Sequence, residues 1–203
     1  VNFHTVEFTG QATGRAVVNG DLKNPQLNAK IKVEDFHFNT GYMGTAHILG
    51  GWSKEEGRIN LDAHIVEDGV GYTDVLGFVS LAEKGLDLDI KSEQTTLQFL
   101  KPYIGHIFTN LDGRTTGRMR LHGPFKKLDF EGEETASLSA HLDVTGVDYT
   151  LTDGRVHVRP GIFEFADFKV ADKTGKGTGI AAGALHHEHL KNLRYEFDLD
   201  VKN

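Results

Sequence analysis

The chain has 203 residues, no cysteine and a formal charge of −7 from 29 acidic and 22 basic side chains. It is long enough to bury a core, the missing thiols exclude disulfides and thiolate chemistry while saying nothing of compartment, and the acidic balance argues against a phosphate backbone as partner. No run approaches the roughly 18 apolar residues that would cross a bilayer as a helix. Val1 opens straight into strand-like sequence, with neither an initiator methionine nor a signal-peptide pattern, so an internal piece of a longer protein is expected.

Taken in chain order, the elements are dominated by period-two alternation. The apolar phase that runs to Val33 resumes at Phe36, across Glu34-Asp35, which predicts a bulge or tight corner returning the same face to register. In "RINLDAHI", Ile59, Leu61, Ala63 and Ile65 fall on one side and Asn60, Asp62 and His64 on the other, the pattern of a half-buried strand. The same holds for Leu86, Leu88 and Ile90 in "KGLDLDIK", for Leu138, Ala140, Leu142 and Val144 in "SLSAHLDV", and for Tyr195, Phe197, Leu199 and Val201 in "YEFDLDV". Turns are expected at Glu56-Gly57, Glu67-Asp68-Gly69, Glu83-Lys84-Gly85, Thr152-Asp153-Gly154 and between Asp172 and Gly175, giving short antiparallel hairpins. A second change of phase, from Phe165 to Phe168 across Ala166-Asp167, predicts another bulge.

One segment departs from this pattern. In "TTLQFLKPYIGHIF", Leu97, Leu100, Ile104 and Ile107 recur at helical spacing, Thr95 or Thr96 can cap the start, and Pro102 must kink the interior or begin a second turn. A short, broken amphipathic helix over 95–108 is expected, its apolar face packed on the sheet edge.

The chain also repeats itself at an offset of about a hundred residues. "GRAVVNGDLKNPQLNAKIKV" from Gly14 is like "GRMRLHGPFKKLDFEG" from Gly117, and "VEDGVGYTDVLGFVSL" from Val66 is like "VADKTGKGTGIAAGAL" from Val170. Two β-meanders, 1–94 and 113–203, joined by a helical connection over 95–112, are expected to share one continuous sheet.

Of the eleven histidines, His186, His187 and His189 are the candidate metal ligands, yet adjacent strand positions point to opposite sides and a fourth ligand, such as Glu188, would be needed. The reading adopted is that "HHEHLKN" is a solvated connection between two strands, with no metal and no cofactor. His37, His47, His64, His122, His141 and His157 sit in the polar phase. There is no nucleophile elbow and no His-Glu-x-x-His, and "GKGTG" at Gly175 is followed by strand-like sequence, so no enzyme is expected.

With the repeats in view, a family resemblance emerges. "GDLKNPQLNAKI", with Gly20, Leu22, Pro25 and Leu27, resembles the glycine-x-leucine-x-x-proline-x-leucine signature of AsmA-like and TamB proteins. From Thr95 onward the chain resembles TamB proteins of the Bacteroides type block by block, through the broken helix, Gly113, Gly117, Gly123, Tyr149, Val170-x-Asp172, Gly175 and Gly183-x-Leu185-x-His187. Gly123-Pro124 departs from the pattern by placing proline directly after glycine.

The resemblance implies an extended, twisted, U-shaped (β-taco-like) antiparallel sheet with an apolar concave face. The parent protein would be anchored in the inner membrane and reach across the periplasm. It would carry phospholipid acyl chains between membranes, or alternatively act as a non-enzymatic scaffold for outer-membrane protein assembly with a TamA-like barrel partner, adding strands at its sheet edges. An acyl chain of roughly 16 carbons faces on the order of 12 kcal/mol in open water, at about 0.8 kcal/mol per methylene. An apolar groove needs no catalytic residue to remove that barrier. The candidate lining is Ile59, Leu61, Ile65, Leu86, Leu88, Ile90, Leu138, Leu142, Val144, Phe197, Leu199 and Val201.

Overall fold

The computed structural model describes residues 7–20, 26–67, 69–105, 108–143, 146–173, 177–189 and 191–202. Twelve strands follow one another as antiparallel hairpins: β1 (Phe8–Asn19), β2 (Gln26–Phe38), β3 (Gly41–Ser53), β4 (Arg58–Glu67), β5 (Gly71–Ser80), β6 (Gly85–Thr96), β7 (Phe108–Pro124), β8 (Asp129–Leu142), β9 (Val147–Arg159), β10 (Ile162–Asp172), β11 (Thr178–Glu188) and β12 (Lys191–Lys202). Spatial order equals chain order, so the result is one open, uncurled sheet with β1 and β12 as its edges. This is the all-β, extended antiparallel meander that the alternation predicts. Its accessible surface, 12330 Å², exceeds the about 9,400 Å² of a compact monomer of this mass, as a single layer must.

Both expected changes of phase are bulges. Asp35 and Asp167 hold left-handed φ angles of 50° and 59°, and the register shifts between Val33 and Phe36 and between Phe165 and Phe168. The turns expected at Glu56-Gly57 and Glu83-Lys84-Gly85 close the hairpins β3–β4 and β5–β6, and the Val70 N–H donates to Glu67 O at 2.9 Å between β4 and β5. Asp68 and residues 174–176, on which other expected turns fall, lie outside the described residues. Thr152-Asp153-Gly154 does not form a turn: it lies inside β9, where Asp153 has φ 55° and the pairing with β8 slips between Ala136 and Leu138. An Asx-Gly pair supplies the left-handed residue of a bulge as readily as that of a turn.

The helix is also shorter than expected. Thr95 and Thr96 stay in β6, a 3-10 turn occupies Gln98–Leu100, a single α turn, α1, spans Lys101–Ile104, and Phe108 already begins β7. Pro102 sits in the first turn, where its missing N–H costs nothing. Thr96 Oγ1 accepts the Gln98 N–H at 3.3 Å.

Nor does this connection pack on a sheet edge. It lies over the apolar face at one end of the strands, where it joins two clusters. Leu97 is buried with Ala136 and Phe168, while Phe99 packs on the cluster of Phe36, Met43, Ala46 and Ile65, its ring 5.3 Å from that of Phe38. The Leu97 N–H donates to Gly113 O at 2.9 Å and Asn39 Nδ2 to Phe99 O at 3.4 Å. Gly41 permits this approach, since a Cβ there would stand 2.4 Å from Phe99 N.

The opposite face is polar and cross-linked by ion pairs between neighbouring strands. Arg120 reaches Asp87 at 2.6 Å and Glu131 at 3.2 Å, Lys169 reaches Asp153 at 2.9 Å, and Arg155 and Arg159 meet Asp167 and Glu164. These side chains are largely exposed, so the pairs favour the observed register more than they add stability.

Candidate functional site

Residues directly opposite one another on antiparallel strands share a face. Following the register from edge to edge traces one row through all twelve strands: Gly14, Ile31, Ile48, Ala63, Val75, Ile90, Met119, Gly132, Val158, Phe163, Leu185 and Tyr195. Every member is aliphatic, glycine or aromatic. At the usual strand spacing this apolar row is roughly 50 Å long. The row beside it, running from Ala16 through Gly50, Leu61, Gly77, Leu88 and Leu121 to Phe130, is equally apolar, and beyond that lie Trp52, Ile59, Val79 and Leu86.

The structure therefore brings the candidate lining together on one face. Ile59, Leu61, Ile65, Leu86, Leu88, Ile90, Leu138, Leu142, Phe197 and Leu199 all occupy its phase. Their covering differs. Ile65 is buried beneath the connection's end of the sheet, while Phe197 and Leu199, on β12, are 50% and 41% exposed. Val144 lies outside the described residues, as does the side chain of Val201, whose backbone pairs opposite Gly179.

The row on the other side of the apolar one is not uniform. It reads Ala12, Val33, Ala46 and Ile65 on one wing, then Thr73, Ser92, Gly117 and Glu134, then Val156, Phe165, Gly183 and Phe197. Its centre is a buried polar belt. Thr73 and Thr95 share a hydroxyl hydrogen bond of 2.7 Å, and Thr95 Oγ1 donates to Tyr72 O at 3.1 Å. Thr115 Oγ1 donates to Glu134 Oε2 at 2.8 Å. Glu134 is 6% exposed, and its Oε1 has no hydrogen-bond partner among the described residues. Burial pushes its carboxyl up from the ordinary range, and the hydroxyls of Thr115 and Ser92 pull it partly back.

The histidine cluster divides three ways. His186 is exposed on the polar side of β11; His189, in the turn with φ 49°, places Nδ1 3.0 Å from Asp129 Oδ2; His187 is 5% exposed, its ring 5.0 Å from that of Phe163. The solvated connection expected for all three is thus wrong for His187, because β11 runs on through Glu188 and keeps it in the apolar phase after Leu185. No group of three or more metal-ligating side chains converges among the described residues.

Two residues that the sequence reading passed over matter here. Phe99 anchors the connection to β2 and β3, and no helical periodicity singles it out. Glu134 was visible in principle: in "EGEETASLSA" it falls in phase with Ala136, Leu138 and Ala140. The chain matches no protein-family model, no curated protein and no solved structure.

Proposed function

We propose that the apolar face carries the acyl chains of phospholipid, as an internal module of a TamB- or AsmA-like protein that links the inner and outer membranes of a cell envelope. The observation that carries this reading is the row that crosses twelve strands without a charged or amide side chain. Its roughly 50 Å length exceeds the about 30 Å of a bilayer's hydrocarbon core, so a chain could remain in apolar surroundings along the whole sheet. The exposed aromatic and aliphatic side chains of β12 suit a path that continues beyond the edge. Order, alternation and the block-by-block resemblance from Thr95 onward support the same reading.

A competing role is the capture of outer-membrane protein strands by edge pairing, which would act at β1 and β12, the last strands of this sheet. Photocrosslinkers replacing Ile90, Leu121 and Phe197, with Asp89 on the polar face as control, separate the two in envelope extracts. Lipid adducts at the first three positions and none at Asp89 are expected. Polypeptide adducts at Phe197 on the edge strand β12, in place of lipid, would transfer the assignment to the scaffold role, and an absence of lipid at every position would overturn the proposal.

A further inference from the structure

Apart from Glu134, the carboxylates, lysines and arginines among the described residues are at least partly exposed, and several are also paired. On the polar face, cations meet carboxylates across neighbouring strands; at the strand ends that share the apolar phase, Glu67 meets Arg114, and Asp172 Oδ2 accepts the Gly177 N–H at 3.1 Å. Glu134 is different. It lies mid-strand on the apolar face, and the residues in register around it are Gly117 and Val156, with Gly132 and Ala136 two positions along its own strand. None of them is charged.

The position is nevertheless built for a carboxylate. Gly117 leaves the floor open beneath it, since a Cβ there would stand 2.9 Å from Glu134 Cδ and 2.2 Å from Glu133 O. Thr115 donates to Oε2 at 2.8 Å, which orients the group and leaves Oε1 over. A buried carboxylate oxygen without a donor is complemented best by a compact cation that carries N–H groups. Immediately beside it run Met119, Gly132 and Val158 of the continuous apolar row. One ligand satisfies both features, an amphiphile with a cationic amine on its head and a hydrocarbon chain behind it.

We propose that Glu134, held by Thr115, is a subsite for the ammonium head of an amphiphile whose chain lies in the adjacent apolar row. This rests on the lipid-carrying role proposed above and specifies which lipids that face prefers. An arriving ammonium supplies the countercharge that the site lacks, and so reverses the effect of burial on the carboxyl.

The test loads the purified chain from vesicles of equimolar phosphatidylethanolamine and phosphatidylglycerol with identical acyl chains, and measures the retained lipids by mass spectrometry. Glu134→Gln and Glu134→Leu are compared with Glu133→Gln, which removes the same charge one residue away on the exposed polar face. The wild type and Glu133→Gln should retain the ethanolamine lipid in roughly tenfold preference, the ratio that one charge-assisted hydrogen bond supports. Both Glu134 variants should bring the ratio near unity with total lipid unchanged. Lipid retained without head-group preference, or a preference that Glu134→Gln and Glu133→Gln alter alike, overturns the subsite and leaves the apolar path standing. No retained lipid at all overturns both.

Discussion

The strip beneath the β6–β7 connection and the β11–β12 edge are written in the same alternation but end in different states. In the connection and beneath it, Leu97, Ala136 and Phe168 are 4–6% exposed; on the edge strand, Tyr195, Phe197 and Leu199 remain 41–50% exposed. Nothing in the strand pattern of "TASLSAHL" against "YEFDLDV" foretells this. The difference comes from what lies above the face. A single connection, anchored through Leu97 and Phe99, turns one end of an apolar surface into a core, while the apolar side chains of β12 stay half exposed. Periodicity fixes which face is apolar, and a few residues outside the strands decide how much of it is available to a ligand.

That contrast can be broken by truncating one ring on each side. Phe168→Ala removes a buried ring that lies over Gly154, where a Cβ would come within 2.2 Å of it, and should cost about 3–5 kcal/mol. Phe197→Ala removes a half-exposed ring whose neighbours are Phe165 and Tyr195 at 6.1 and 6.0 Å, and should cost about 1 kcal/mol or less. Urea midpoints at constant m measure both. Equal losses would mean that the edge is as well packed as the covered end. An intermediate effect is expected from Gly41→Ala, which presses a methyl group against Phe99 N and should cost about 1–3 kcal/mol. Its signature is local: amide exchange should accelerate at Leu97, Leu100 and Gly105, which donate to Gly113, Leu97 and Lys101, and stay unchanged along β11 and β12.

Much of the architecture is legible in the sequence, because a strand's alternation directly reports its two faces. Ile59 through Ile90, Leu138 and Phe197 land on the face that the pattern assigns them, and the changes of phase at Glu34-Asp35 and Ala166-Asp167 mark real bulges. The connection is misread for a physical reason. Leu97, Leu100, Ile104 and Ile107 have helical spacing, but a segment this short, carrying Pro102 and tied at both ends to paired strands, takes the backbone its anchors allow. His187 escapes because three nearby histidines look like a solvated tip until the length of β11 is known. Glu134 escapes because it stands next to Glu133, and only the register separates the buried member of that pair from the exposed one.

The smallest expected effect is also the most discriminating, because the two regions hold buried titratable groups of opposite sign. Burial raises the Glu134 carboxyl above its usual 4.5, so the folded state binds more protons than the unfolded chain once the pH exceeds that value. Its contribution is therefore fully present in acid and declines as the pH rises through the raised folded value. Burial first lowers His187 below its usual 6.5, Asp129 opposes that shift and His189 adds to it. The folded state then binds fewer protons than the unfolded chain, and stability is fully present above 6.5 and falls as the pH drops below it. Glu134→Gln should accordingly gain on the wild type by roughly 1 kcal/mol between acid and neutral pH, the scale of one poorly satisfied buried group. His187→Phe should flatten the acid side by less, since Asp129 offsets part of the burial. Urea midpoints across this pH range separate the two slopes, and a Glu134→Gln profile parallel to the wild type would show that this carboxyl already has its countercharge in the protein alone.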